Sequence, residues 1–267
     1  MTFPSHAAAV MPLKLLRPRW FDGVALVVGS TAPDLPYALG APLPTYGHTW
    51  VGLALWGVPL TMTAALLIRW SAPVVAAHLP GWWQDYGVLG RVRHPWYITA
   101  LSAWIGAITH RLWDEVTHDR LPGTSLGFAA LGRPLLPGLP WWEALHAASS
   151  LLGLIGWIWA TVHIGRHGLL RHWHGPPPQT ARRPVLFWAA VAAALTMGTA
   201  ISALLPDGRI PIVLGARLLD VFAGAFVVAA SVIRLSPHAR PELCSGPPSQ
   251  VRPHPPAPPR AGRPEDQ

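Results

Sequence analysis

Three side chains recur at helical spacing in the segment Ile-Thr-His-Arg-Leu-Trp-Asp-Glu-Val-Thr-His: His110, Asp114 and His118. Residues four apart on a helix lie one above another on nearly the same face. Neutral imidazole nitrogens and carboxylate oxygens are the usual zinc ligands where no thiolate is at hand. The stripe therefore points to metal binding, with a water-facing helix end as the plainer alternative. A single cysteine, Cys244, excludes a disulfide framework and a cysteine-based zinc site. Any metal would have to be held by histidine and carboxylate.

The other isolated polar residues add to this stripe. His48 stands just before an apolar run, His110 to His118 close a second run, and His146 opens a third. Antiparallel neighbouring helices alternate direction, so these three helix ends fall on one side whichever way the chain is inserted. Asp34 and His6 join them if the segment around residue 24 does not cross. His163, His167, His172 and His174 sit in an Arg-rich turn without a neighbouring carboxylate, where headgroup contact or solvation is the better reading. His78, His94, His238 and His254 receive no role.

Several apolar runs must position these side chains. Of the 267 residues, 51% are hydrophobic and 12% charged, and the mean hydropathy is +0.32. A water-soluble globule carries about a quarter charged residues, and a disordered chain has low hydrophobicity with high net charge. Both classes are excluded, and the expected setting is a lipid bilayer, in an all-α, polytopic helical membrane protein. A spanning helix needs about 20 mostly apolar residues. Five segments qualify: Val51–Ile68, Pro95–Trp113, Ala144–Gly165, Val185–Leu205 and Ile210–Ile233. The last contains Arg217 and Asp220, three apart and so able to offset one another's burial. Val24–Leu39 is too short to cross and is broken by Pro33, Asp34 and Pro36, so it reads as an interfacial or re-entrant helix ending near Thr31. His6–Leu16 reads as a short helix lying on the membrane. No cleavable signal is recognisable at the start, so His6 is expected to stay in the mature protein. Residues 1–235 form the membrane domain and residues 236–267 a disordered, Pro- and Arg-rich tail. His172–Pro184 reads as an exposed linker.

Paired Trp residues at Trp82-Trp83 and Trp141-Trp142 suit an aromatic belt. The formal charge of +8 does not argue for nucleic acid, because Lys and Arg are scattered between apolar runs without a basic stripe or motif. Counted by connection, seven Lys and Arg fall on the side of His48 (Lys14, Arg17, Arg19, Arg111, Arg120, Arg133, Arg209) and twelve on the other. The second side, with the tail, is the better cytoplasmic face, and the cluster faces outward. On that reading the protein is a multi-pass cell-membrane protein.

Taken in order, Ser5-His6-Ala-Ala-Ala-Val, Gly29-Ser30-Thr-Ala-Pro33-Asp34-Leu-Pro-Tyr37, Gly47-His48-Thr49, the stretch to His118 and His146-Ala-Ala-Ser149-Ser150 resemble a bacterial family, domain of unknown function 4184, over residues 3 to about 235. That family consists of multi-pass membrane proteins without an established activity. Its pattern in turn resembles bacterial membrane-bound metal-dependent hydrolases and, more remotely, the zinc-dependent phospholipase C and single-strand nuclease superfamily. The resemblance implies zinc or another divalent transition metal held by His6, Asp34, His48, His110 and Asp114. His118 and His146 would be further ligands or would orient the others, and Asp34 would be the ligand or general base. Two departures stand out. The soluble enzymes use an N-terminal Trp as a ligand, where this chain has Met1 and Thr2. They also carry Glu four residues after a late His, where this chain has Ser150 after His146 and Glu143 before it. One or two metals fit better than three.

The implied function is metal-dependent hydrolysis of a phosphoester or lipid-linked substrate. Arg111 and Lys14 are expected on the same side, available to an anionic headgroup or serving as plain interfacial cations. Two other classes stay open: a proton- or ion-coupled transporter, and a non-catalytic membrane protein with a structural polar or metal cluster.

Overall fold

The computed structural model describes residues 3–40, 46–119 and 129–236. The tail assigned to residues 236–267 lies beyond the described residues after Ser236. Among the described residues, the fold is carried by α1 (Phe3–Leu16), α2 (Gly23–Gly29), α3 (Trp50–Ala77), α4 (Trp96–Thr117), α5 (Trp141–Arg166), α6 (Leu169–His174), α7 (Pro184–Leu204) and α8 (Pro211–Leu235). Short 3₁₀ segments occupy Leu35–Leu39, Gly81–Arg91 and Ala129–Gly132, and a two-stranded hairpin (Pro134–Leu136 with Leu139–Pro140) precedes α5. The protein is all-α in substance.

Four helices, α3, α5, α7 and α8, are long and apolar enough to cross a membrane. The other expected span forms as α4, 22 residues long, but its second half carries His110, Arg111, Asp114 and Glu115 on buried faces. This is a helical membrane protein. Its outward residues are apolar, with Val185 and Leu204 on α7 and Leu235 on α8 almost fully exposed, as lipid-facing positions should be. One apolar core joins α3, α7 and α8 through Val74, Phe187, Val191, Ala229 and Ile233. A second joins α1, α5, α6 and Gly81–Arg91 through Met11, Val88, Ala160, Ile164 and Leu170. His78, left without a role, is a packing residue: it stacks on Phe187 at 4.2 Å and accepts from the Arg183 backbone N–H at 2.8 Å.

The N-terminal region departs from expectation in depth. α1 does not lie on a surface; Ala7 and Val10 are fully buried, and it packs against α5, α2 and α4. At 1.5 Å per residue its 14 residues cover about 21 Å, short of the ~30 Å hydrocarbon thickness. α1 thus runs inward from the His6 end and α2 returns, forming a re-entrant hairpin. Lys14 therefore stands at the end opposite His6, 5.5 Å from the Trp173 ring of α6. The expectation that Lys14, Arg17 and Arg19 share the side of His48 is corrected, because a short helix carries its C-terminus to the far end without crossing the whole bilayer.

Small residues make this hairpin possible. Gly153 of α5 sits so close to α1 that a Cβ there would meet Ser5 Cα at 2.3 Å. Gly29 and Gly106 make the same kind of approach between α2 and α4. Asp22 caps α2 by accepting from the Ala25 N–H, pairs with Arg69 of α3 and accepts from Thr99 at 2.7 Å. Removing one partner of a buried pair costs about 3–5 kcal/mol. Arg69→Leu should accordingly lower the unfolding midpoint in detergent sharply, and Asp22→Asn combined with Arg69→Leu should recover part of the loss in the same denaturation measurement.

The other ionic pair expected inside the bundle does not form. Arg217 donates to the carbonyls of Ala38 (2.8 Å) and Ser202 (3.2 Å), and among the described residues no ion pair joins it to Asp220. A helix end and a 3₁₀ segment offered carbonyls within the reach of the guanidinium, and Asp220, one turn on, faces a groove beside α3 instead. The Arg-rich turn has a carboxylate after all: Asp85, from Gly81–Arg91, pairs with Arg171 of α6. Of the presumed linker, His172 and His174 belong to α6, and residues 175–183 follow without regular structure.

Candidate metal centre

The end of α4 builds the site. His110 and Asp114 lie one turn apart on its buried face, and His118 is its C-terminal cap. Around them come His6 from α1, Asp34 from the turn after α2, His48 from the approach to α3, and His146 from the start of α5. All seven residues singled out in the sequence meet at this end.

Asp114 is the hub. Its carboxylate lies 3.1 Å from His110 Nε2, 3.5 Å from His48 Nε2, 3.4 Å from His6 Nε2 and 3.3 Å from His118 Nδ1. Asp34 Oδ1 is 3.4 Å from His48 Nε2 and 3.6 Å from His110 Nε2. Asp34 precedes the 3₁₀ segment Leu35–Leu39 yet does not cap it, so its carboxylate is available to the cluster. His6 and His110 stack at 3.8 Å between ring centres. Two groups have ligand atoms all within 4.8 Å of one another: His6, Asp34 and His110, and His48, His110 and Asp114.

His118 and His146 stand at the rim. Their rings meet edge to face at 4.8 Å, and His146 Nδ1 lies 3.2 Å from the Thr117 carbonyl. Ser150 donates back to the His146 carbonyl at 2.8 Å along its own helix. A cavity of about 220 Å³ opens at this rim, lined by Asp34, Tyr37, His48, Asp114, His118 and His146, with Ile212 of α8 closing one wall.

Sequence reasoning missed the groups that orient these side chains. His110 Nδ1 donates to the Ser30 carbonyl at 2.8 Å, which orients the ring with Nε2 turned into the cluster. Arg111 donates to the His48 carbonyl at 3.1 Å and pairs with Glu115. It is thus a buried brace for His48 instead of a receptor for a headgroup. The i, i+4 spacing of Arg111 and Glu115 was a legible signal for that pair; Ile212 had none.

The electrostatics suit a cation. Burial and the nearby His110 pull the His6 pKa down to about 3. Since the unfolded value lies near 6.5, His6 stays neutral in the folded protein as pH falls, and stability is lost as pH drops below about 6.5. Burial pushes the Asp34 carboxyl up, but His110 and His48 outweigh that effect and hold it below the ordinary carboxylate value. Burial opposes the charge on His110, but Asp34 and Asp114 outweigh it and raise its pKa, so a metal bound at Nε2 would displace that proton.

Residues 1–233 match the family described as a domain of unknown function, DUF4184. The chain belongs to this family. No curated protein and no solved structure matches it. The matched residues of this DUF4184 chain take in the whole helical domain up to α8 and every member of the cluster.

Proposed function

We propose that the protein is a membrane-embedded metal-dependent hydrolase acting on a phosphoester or lipid-linked substrate. The observation that carries this reading is the surroundings of His110 Nε2. With Nδ1–H given to Ser30, Nε2 faces His48 Nε2 at 3.3 Å, Asp114 Oδ2 at 3.1 Å and Asp34 Oδ1 at 3.6 Å, where a metal ion would take the place of a shared proton. Asp114 Oδ1 is buried, with His118 Nδ1 at 3.3 Å and His6 Nε2 at 3.4 Å. These nitrogen and oxygen atoms converge on one point, and such an N/O donor set fits zinc or a comparable divalent transition ion.

The chemistry a bound ion supplies there is acidification of water to a pKa of about 7 and neutralisation of charge on the attacked phosphoryl or carbonyl group. His6, His48, His110 and Asp114 hold the site. Asp34, ionised and at the cavity wall, takes the proton of the attacking water, and the cavity of about 220 Å³ admits the reacting group. His118 and His146 at the rim are placed to hydrogen-bond that group. Hydrolysis is favoured over ion passage because the faces between the cluster and the Asp22–Arg69 pair are filled by Leu26, Ala103 and Ala107, all fully buried.

Orientation follows from the corrected position of Lys14. With Lys14, Arg17 and Arg19 on the re-entrant hairpin and left out of the count, four Lys and Arg remain on the cluster's side and twelve lie opposite. That bias puts the cluster outside the cell membrane and the tail in the cytoplasm.

The test is metal content by plasma mass spectrometry on detergent-purified protein, followed by turnover of phosphoester and lipid substrates. Wild type should carry at least one transition metal per chain, His110→Ala should lose it while still folded, and Asp34→Asn should lower turnover about 10²–10⁴-fold. A folded wild type that takes up no metal from added zinc would replace this reading with polar helix packing.

A further inference from the structure

At the end opposite the cluster, α1, α2, α5, α6 and Gly81–Arg91 enclose a cavity of about 300 Å³, within the ~300–1,000 Å³ range of ligand pockets. Its shaft is apolar: Met11, Val27, Ile68, Leu89, Trp157 and Ile164 contribute to its walls. Lys14 and His174 also line it.

Lys14 is 6% exposed and forms no ion pair among the described residues. Its ammonium donates to the carbonyls of Pro18 (2.6 Å) and Phe21 (3.0 Å), and an ammonium has three donors. Asp22, the carboxylate that lines the same cavity, is taken by Arg69 and Thr99. Two further ring nitrogens, His174 Nε2 and His94 Nε2, are buried without a hydrogen-bond partner, and the two rings lie 6.4 Å apart. A buried ammonium with no ion pair among the described residues and one donor to spare, beside two unpartnered ring nitrogens and above an apolar shaft, suits an anion with an apolar extension.

We propose that this cavity is a binding site for an anionic phospholipid, one acyl chain lying in the shaft and the phosphate held by Lys14 with His174. The site is separate from the metal cluster and does not depend on hydrolysis.

The test uses the full chain, purified in detergent, stripped of lipid and titrated with phosphatidylglycerol or phosphatidylcholine of identical acyl chains, with bound lipid counted by native mass spectrometry. Wild type should retain one phosphatidylglycerol with about tenfold preference over phosphatidylcholine. Lys14→Gln should abolish the preference, Val27→Phe should weaken retention of both lipids by filling the shaft, and Arg133→Gln at the other end should change neither. Equal retention of both lipids by wild type, binding unmoved by Val27→Phe, or binding of oleate with phosphatidylglycerol excluded would overturn the proposal. If Lys14→Gln does not fold, cross-linking of wild type by phosphatidylglycerol with a diazirine in its acyl chain decides. Labels at Leu89, Trp157 or Ile164 support the site, and labels confined to lipid-facing residues of α7 refute it.

Discussion

Asp114→Asn is expected to empty the centre. The substitution keeps the volume of the side chain but removes the charge that meets His6, His48, His110 and His118 at 3.1–3.5 Å. The amide that replaces one carboxylate oxygen is a donor and offers no lone pair to a cation. The remaining residues of the second group, His48 and His110, would be left with Asp34 as their one neighbouring carboxylate. His118→Ala is the informative comparison. His118 is a quarter exposed, belongs to neither of the two close ligand groups and touches the centre through Asp114. Loss of such an outer partner typically costs 10–100-fold in metal affinity. Competition with a chromogenic chelator should therefore show zinc affinity falling by about 10–100-fold in His118→Ala and by more in Asp114→Asn. Equal losses in the two variants would place His118 among the ligands and would demand a different centre.

The residues that make up this centre were legible because two independent regularities select them. The i, i+4, i+8 stripe picks His110, Asp114 and His118 on one helix, and the alternation of helix direction brings His48 and His146 to the same end. His6 and Asp34 depended on the segment between them not crossing, and the re-entrant hairpin of α1 and α2 meets that condition. What periodicity could not reveal is the depth of the hairpin. Residues 3–16 run Phe-Pro-Ser-His-Ala-Ala-Ala-Val-Met-Pro-Leu-Lys-Leu-Leu, apolar on nearly every face, so no polar stripe distinguishes a surface helix from a buried one. The side on which Lys14 ends follows from that depth and was misplaced with it. The supposed Arg217–Asp220 pair failed for a related reason. Spacing along one helix says which residues can meet, whereas Arg217 found carbonyl acceptors on two other elements, including Ala38, 179 positions away in the chain.

Gly106→Val should be the most damaging single substitution away from the cluster, and its effect should reach the proposed metal site. A Cβ at Gly106 would stand 2.4 Å from the Leu26 carbonyl oxygen, 2.7 Å from the Ser30 nitrogen and 2.9 Å from the Gly29 carbon. These are backbone atoms of α2 and its cap, so no side-chain rotation relieves the clash. α2 would have to move off α4, taking with it the Ser30 carbonyl that holds His110 and, four residues on, Asp34. Overpacking a tight core costs about 1–3 kcal/mol, and the loss of the buried contacts of Ala25 and Leu26 adds to it. Gly215→Ala on α8 makes a matched control, because a Cβ there meets nothing within 4 Å; the change from Gly to Ala inside a helix should stabilise by about 0.5–1 kcal/mol. Thermal unfolding in detergent, followed by circular dichroism with and without zinc, separates the two consequences. In Gly106→Val the melting temperature should fall and added zinc should no longer raise it. In Gly215→Ala the shift with zinc should match wild type. A Gly106→Val protein that is destabilised but still gains wild-type stability from zinc would mean that the Ser30 carbonyl does not orient His110 in the metal-binding state.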